Sequence, residues 1–102
     1  MASYAVAWRK DGEDVRVGKL ELAANGFRLE AGARHGGRVS VLRVLYRDLL
    51  GAGMARFGQR IGSRPTVALT SVRGLVCIAP VGVGMAREVL ELALSALSER
   101  PE

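Results

Sequence analysis

Alternation of apolar and polar residues runs through most of this chain, and one stretch sets its sense. Between Gly18 and Ala31, Leu20 and Leu22 alternate with Lys19 and Glu21, and Phe27, Leu29 and Ala31 alternate with Arg28 and Glu30. A period of two puts each set on one face of a strand. Asn25-Gly26 between the two runs predicts a tight hairpin turn with positive φ angles at that pair. A lone hairpin is marginal in water, so its apolar face needs further strands or a helix over it.

The remaining pattern supplies both. Tyr4, Val6 and Trp8 alternate with Ala5 and Ala7 in a first strand, Tyr4 to Arg9. Its Trp8 reads as a core anchor, with stacking or a lipid interface as the other uses of a lone tryptophan. Asp11-Gly12 marks a sharp turn, and Val15 opens the second strand. Gly32 to Gly37 is aperiodic and glycine-rich, a loop carrying Arg34 and His35. Val39 to Leu45 is β-branched and predicts a fourth strand. A fifth spans roughly Leu50 to Phe57, where Gly51 and Gly53 suggest a bulge or a corner between sheets. The loop Gly58 to Arg64 follows; with Arg56, Arg60 and Arg64 it gathers cations without an acid. Thr66 to Thr70 and Leu75 to Ala79 predict strands six and seven, joined through Ser71-Val72-Arg73-Gly74.

Only the end changes period. From Met85 to Glu99 the polar residues Arg87, Glu88, Glu91, Ser95, Ser98 and Glu99 fall in an arc of roughly 120° at about 100° per residue. One amphipathic helix is predicted, at about 84–99. Met85, Val89, Leu92 and Ala96 form the centre of its packed stripe in this reading. Leu90, Leu94 and Leu97 form a flank that is either an interface with another copy or is seated in the barrel mouth. The expected fold class is therefore mainly β with one C-terminal α-helix: a seven-stranded antiparallel barrel or sandwich capped by the helix, in one domain over 1–102.

Composition adds a charge. The 102 residues hold 15 Lys+Arg against 10 Asp+Glu, a net of +5, and only Lys10 and Lys19 of those cations are lysines. Arginine suits bidentate contact with phosphate or carboxylate. Abundant Ala, Gly, Val, Leu and Arg also fit a GC-biased genome, so arginine content alone identifies no ligand. Cys77 is the sole cysteine, which excludes an intrachain disulfide, and Leu-Val-Cys-Ile-Ala around it reads as core. A cytoplasmic location is expected, peripheral at a membrane at most. No signal-peptide pattern opens the chain, and the longest uncharged run, Gly74 to Ala86, has 13 residues against the roughly 18 that span a bilayer.

Catalytic chemistry finds no footing. There is no His-Glu-x-x-His, no Cys-x-x-Cys and no nucleophile elbow, and His35 is the only histidine. Gly82-x-Gly84 before the helix imitates a nucleotide-binding turn, but Arg87 stands at the third glycine position. Neither catalysis, a metal nor a cofactor is expected.

The order of seven strands and one C-terminal helix resembles the pleckstrin-homology-like superfamily, including its GRAM-type and small bacterial members. The phrases Gly18-Lys-Leu-Glu-Leu, Asn25-Gly-Phe-Arg-Leu, Leu45-Tyr-Arg-Asp-Leu and Pro65 to Ala79 carry it. The helix lacks the tryptophan of many eukaryotic members, which points to the bacterial or GRAM-type branch. The resemblance implies an anion-binding rim on the first, third and sixth connecting loops. Here that rim is Arg9, Lys10, Arg34, His35, Arg38 and Arg73, with Arg16 and Lys19 on the adjoining strand. The phosphoinositide motif is not reproduced, since Arg16 is followed by Val17 and Gly18. The expected function is a non-enzymatic binding or adaptor module for protein partners or self-assembly. Peripheral binding of anionic lipid is the alternative and weak nucleic-acid binding the third reading.

Overall fold

The computed structural model describes residues 3–32, 39–56, 59–82 and 84–99. Seven strands are present: β1 Ser3–Lys10, β2 Arg16–Ala23, β3 Gly26–Ala31, β4 Ser40–Leu45, β5 Leu49–Met54, β6 Val67–Ser71 and β7 Gly74–Pro80. A 3-10 turn, Tyr46–Asp48, links β4 to β5, and among the described residues one α-helix, α1, covers Met85–Ser98. All pairings are antiparallel, in the order β4-β3-β2-β1-β7-β6-β5. The strands thus belong to one sheet, curled into a half-barrel, with α1 packed against β5, β6, β7 and the 3-10 turn. No helix is long and apolar enough to cross a membrane among the described residues.

The period-two pattern sorts side chains to the two faces of this sheet. Val6, Trp8, Leu20, Phe27, Leu29, Val67, Leu69 and Ile78 line the inner face and form the main core with Val89 of α1. Burying each such side chain contributes about 1.5–3 kcal/mol. Phe27 meets Tyr46 edge-on, ring centroids 5.4 Å apart, which fastens the 3-10 turn to β3. On the outer face a smaller cluster joins Ala7, Cys77 and Ala79 to Ile61, which the β5–β6 connection folds over them.

The hairpin turn falls one residue earlier than its sequence suggests. Ala24 and Asn25 are the turn, Ala23 pairs with Gly26, and Gly26 is the first residue of β3 without a positive φ. Its glycine is needed for proximity: a Cβ there would collide with the Val44 carbonyl of β4. The bulge expected around Gly51 is present as a register shift between Leu49 and Gly51, with no passage between sheets. β5 stops at Met54, short of the expected Phe57, which lies outside the described residues.

The helix stripe is also rotated from its expected centre. Ala86, Val89 and Ala93 are buried, while Leu92 is exposed. Of the flank read as either an interface or a face seated in the barrel mouth, Leu90 and Leu97 pack against the core, and Leu94 alone of that trio is exposed.

Candidate functional site

The cationic residues expected at a loop rim divide between the two faces of the sheet. Lys19 opposes Glu30 across β2 and β3, and Glu21 opposes Arg28. Lys19 Nζ lies 2.9 Å from Glu21 and 3.2 Å from Glu30, and Arg28 lies 3.6 Å from Glu21 and 3.0 Å from Glu30. Two cations and two anions close a neutral square on the outer face. Hydrogen bonding to Glu21 and then Glu30 raises the Lys19 pKa, and the bond from Lys19 leads the causes holding Glu30 below its ordinary value. Lys19, expected in the anion-binding set, is thus a half-exposed partner of this square.

Arg16 and Arg9 are engaged too. The Arg16 guanidinium lies 5.7 Å from the Trp8 ring centroid and 3.6 Å from Glu13. Arg9 opposes Cys77 on the outer face and donates to the Gln59 carbonyl at 3.3 Å, which holds the strap bearing Ile61. Lys10 opposes Val76, and the Asp11 N–H donates to the Leu75 carbonyl at 2.8 Å, so the β1–β2 loop adjoins the turn that carries exposed Arg73. Lys10, which ends β1, and Arg73, on the β6–β7 turn, are expected rim residues at adjoining strand ends. Arg34, His35 and Arg38 lie outside the described residues. Among the described residues no group of His, Cys, Asp and Glu is arranged to hold a metal.

An apolar cavity lies elsewhere, away from the expected rim. A cleft of about 600 Å³ opens between the end of β5, the β5–β6 connection, the end of β7 and the first turns of α1. Met54, Pro65, Pro80, Val81, Ala86 and Leu90 make its walls apolar, and Arg64 and Arg87 are its charged lining among the described residues. Arg87 is tied to Glu91 at 3.3 Å, whereas Arg64 has no ion pair among the described residues. This volume falls in the range of ligand pockets. A more open groove of about 540 Å³ runs between α1 and the 3-10 turn, past Tyr46, Arg47, Leu92 and Ser95.

The cleft adjoins a sheet edge. β5 ends the strand order, so among the described residues no strand pairs with its outer side. Its sequence, Leu-Leu-Gly-Ala-Gly-Met, contains no charge and no proline. Edge strands that must stay single carry such residues. The opposite edge, β4, has Arg43 at its middle. Leu50 and Met54 on β5 are exposed, and Leu90 of the cleft continues one helical turn later into exposed Leu94. Neither protein-family models nor curated proteins give a match to this chain.

Proposed function

We infer that this chain is a non-enzymatic protein-interaction module that receives another polypeptide along β5 and in the adjoining cleft. One observation carries the reading: an edge strand without charge or proline lies directly beside an apolar cleft of about 600 Å³. An added strand gains main-chain hydrogen bonds from such an edge, and a neighbouring pocket selects its side chains. This architecture is consistent with the pleckstrin-homology-like resemblance of the sequence, a family in which binding modules are common. Peripheral lipid binding is the weaker alternative, because Lys19, Arg16 and Arg9 are each engaged within the fold. Weak nucleic-acid binding has charge alone behind it.

The test is selection of a displayed random-peptide library on the purified chain, followed by hydrogen exchange with the selected peptides. Slowed exchange at residues 49–54 and along the first half of α1 is expected, with binding lost in Met54→Lys. Peptides that protect no residue of β5, or sedimentation with phosphatidylserine vesicles but not phosphatidylcholine vesicles in the absence of any selected peptide, would overturn the reading.

A further inference from the structure

We propose that the polypeptide received in the cleft is an acidic segment, which seats an apolar side chain between Met54, Pro80 and Leu90 and sets flanking carboxylates against Arg64 and Arg87. The proposal rests on the interaction-module reading and names the chemistry of its partner. Between Leu49 and Arg87 the sequence holds Arg56, Arg60, Arg64, Arg73 and Arg87, and neither Asp nor Glu. Cations and acids balance in the rest of the chain, so the whole net charge of +5 sits in this stretch. The same stretch supplies every lining residue of the cleft except Leu90. All of its arginines are exposed.

The two guanidinium groups at the cleft are open to a partner. Arg64 has no ion pair among the described residues. Arg87 pairs with Glu91, but the two side chains are 85% and 66% exposed, where solvent leaves such a pair little strength. Glu88 and Glu91 line a separate groove beside Tyr4. Arg64 is also placed in advance. The buried Thr66 hydroxyl accepts from the Ile61 N–H at 3.0 Å and donates to the Arg64 carbonyl at 3.0 Å. The turn that presents Arg64 is thus fixed before a partner arrives, which lowers the ordering cost of binding. Carboxylates match the planar fork of a guanidinium, and a peptide carries them within reach of an apolar side chain. Nucleic acid has the charge without an aliphatic group for these walls. No aromatic ring among the described residues lines the cleft for a base to stack on.

Fluorescence anisotropy with a labelled Glu-Asp-Leu-Leu-Asp-Glu peptide, beside its Lys-Lys-Leu-Leu-Lys-Lys counterpart, gives the first test. The acidic peptide is expected to bind, more weakly as salt rises, and the lysine peptide not to bind. Arg64→Glu weakens the acidic peptide about tenfold. Arg73→Glu makes the same change in net charge at the opposite end of strands β5 to β7, and weakens it less than about threefold. Arginine Nε–H NMR signals of the unaltered chain read the contact without any substitution: those of Arg64 and Arg87 shift on titration, and that of Arg73 does not. Library-selected peptides are expected to be rich in Asp and Glu beside an apolar residue. Equal binding of the two test peptides, or equal losses in Arg64→Glu and Arg73→Glu, overturns the proposal. Selected peptides that protect β5 and the cleft but carry no excess of acid overturn it as well and leave the interaction module standing. Phosphatidylserine vesicles or single-stranded DNA that shift Arg64 and Arg87 where the acidic peptide does not overturn it in favour of another polyanion. A chain that takes no peptide at all overturns both readings.

Discussion

The indole of Trp8 reaches across one whole strand: its Nε1 on β1 donates to the Glu30 carbonyl on β3 at 2.9 Å. The residue between them is Gly18 of β2, and a Cβ at Gly18 would strike that same carbonyl. Trp8 and Gly18 are thus two halves of one arrangement. The glycine opens the passage, and the indole supplies the donor that a part-buried carbonyl needs. Gly18→Ala forces the Glu30 carbonyl aside and separates it from the indole. Overpacking of this kind costs about 1–3 kcal/mol. Urea unfolding followed by tryptophan emission reads both effects, as a lower midpoint and a red-shifted native spectrum. Trp8→Phe keeps an aromatic side chain but leaves the carbonyl without its donor, with an expected loss of about 1–3 kcal/mol, read by circular dichroism because no tryptophan remains.

The charged square on β2 and β3 has a pH signature at each end of the scale. Glu30 is held below its ordinary value chiefly by the bond from Lys19, so the folded state binds that proton less readily than the unfolded chain. Its stabilising contribution is present above the ordinary carboxylate pKa and is lost as pH falls through the lower folded value. Lys19 is raised, chiefly by its bond to Glu21, so its contribution is present below the ordinary lysine pKa and is lost as pH rises through the higher folded value. Both groups are solvent-facing, and salt weakens the effect. Carboxyl NMR titration of Glu30 is expected to show a depressed pKa that moves back toward normal in Lys19→Met. An unchanged Glu30 titration in that variant would contradict the pairing.

That square also shows how far the sequence could be read. The alternation of Leu20, Leu22, Phe27 and Leu29 identifies the two strands and their buried face correctly, because parity survives a small error in the turn. The pairs do not survive it. With the turn on Asn25-Gly26, Glu21 would oppose Glu30 and Lys19 would oppose Gly32. With the turn on Ala24-Asn25, as found, Lys19 opposes Glu30 and Glu21 opposes Arg28. One residue of turn placement separates a repulsive pair from a neutral square. Asn-Gly is a strong turn signal, and it was overridden here by the tertiary contact of Gly26 with β4. The cleft is scattered along the sequence, since Met54, Pro65, Pro80 and Leu90 come from four separate parts of the chain. A loop with Arg56, Arg60 and Arg64 and no acid was its one visible trace.

The rotation of α1 separates two substitutions that helical periodicity treats alike. Val89 is fully buried among the core side chains, and Leu92, three residues on, is 39% exposed. Val89→Ala removes buried carbon and leaves space behind it, for an expected loss of about 2 kcal/mol. Leu92→Ala removes a larger side chain and costs under about 1 kcal/mol, because much of that surface is already wet. Paired urea titrations decide the matter. Equal losses would return the packed stripe to the Val89–Leu92 line.

Cys77 tests the outer face. Its thiol is buried in β7, opposite Arg9, beneath the Ile61 strap that the Arg9 bond to the Gln59 carbonyl holds in place. Burial pushes the thiol pKa up, and the nearby Arg9 opposes that shift only in part. The thiolate is the reactive form, so desolvation and the strap both slow modification. A disulfide reagent at mildly alkaline pH is expected to react with the native chain far more slowly than with the urea-unfolded chain. Ile61→Ala uncovers the thiol and speeds the reaction. Arg9→Gln does so by releasing Gln59, even though it also removes the cation that favours the thiolate. An Arg9→Gln variant that reacts more slowly than the parent would mean that Arg9 acts on the thiol as a charge and not as the fastening of the strap.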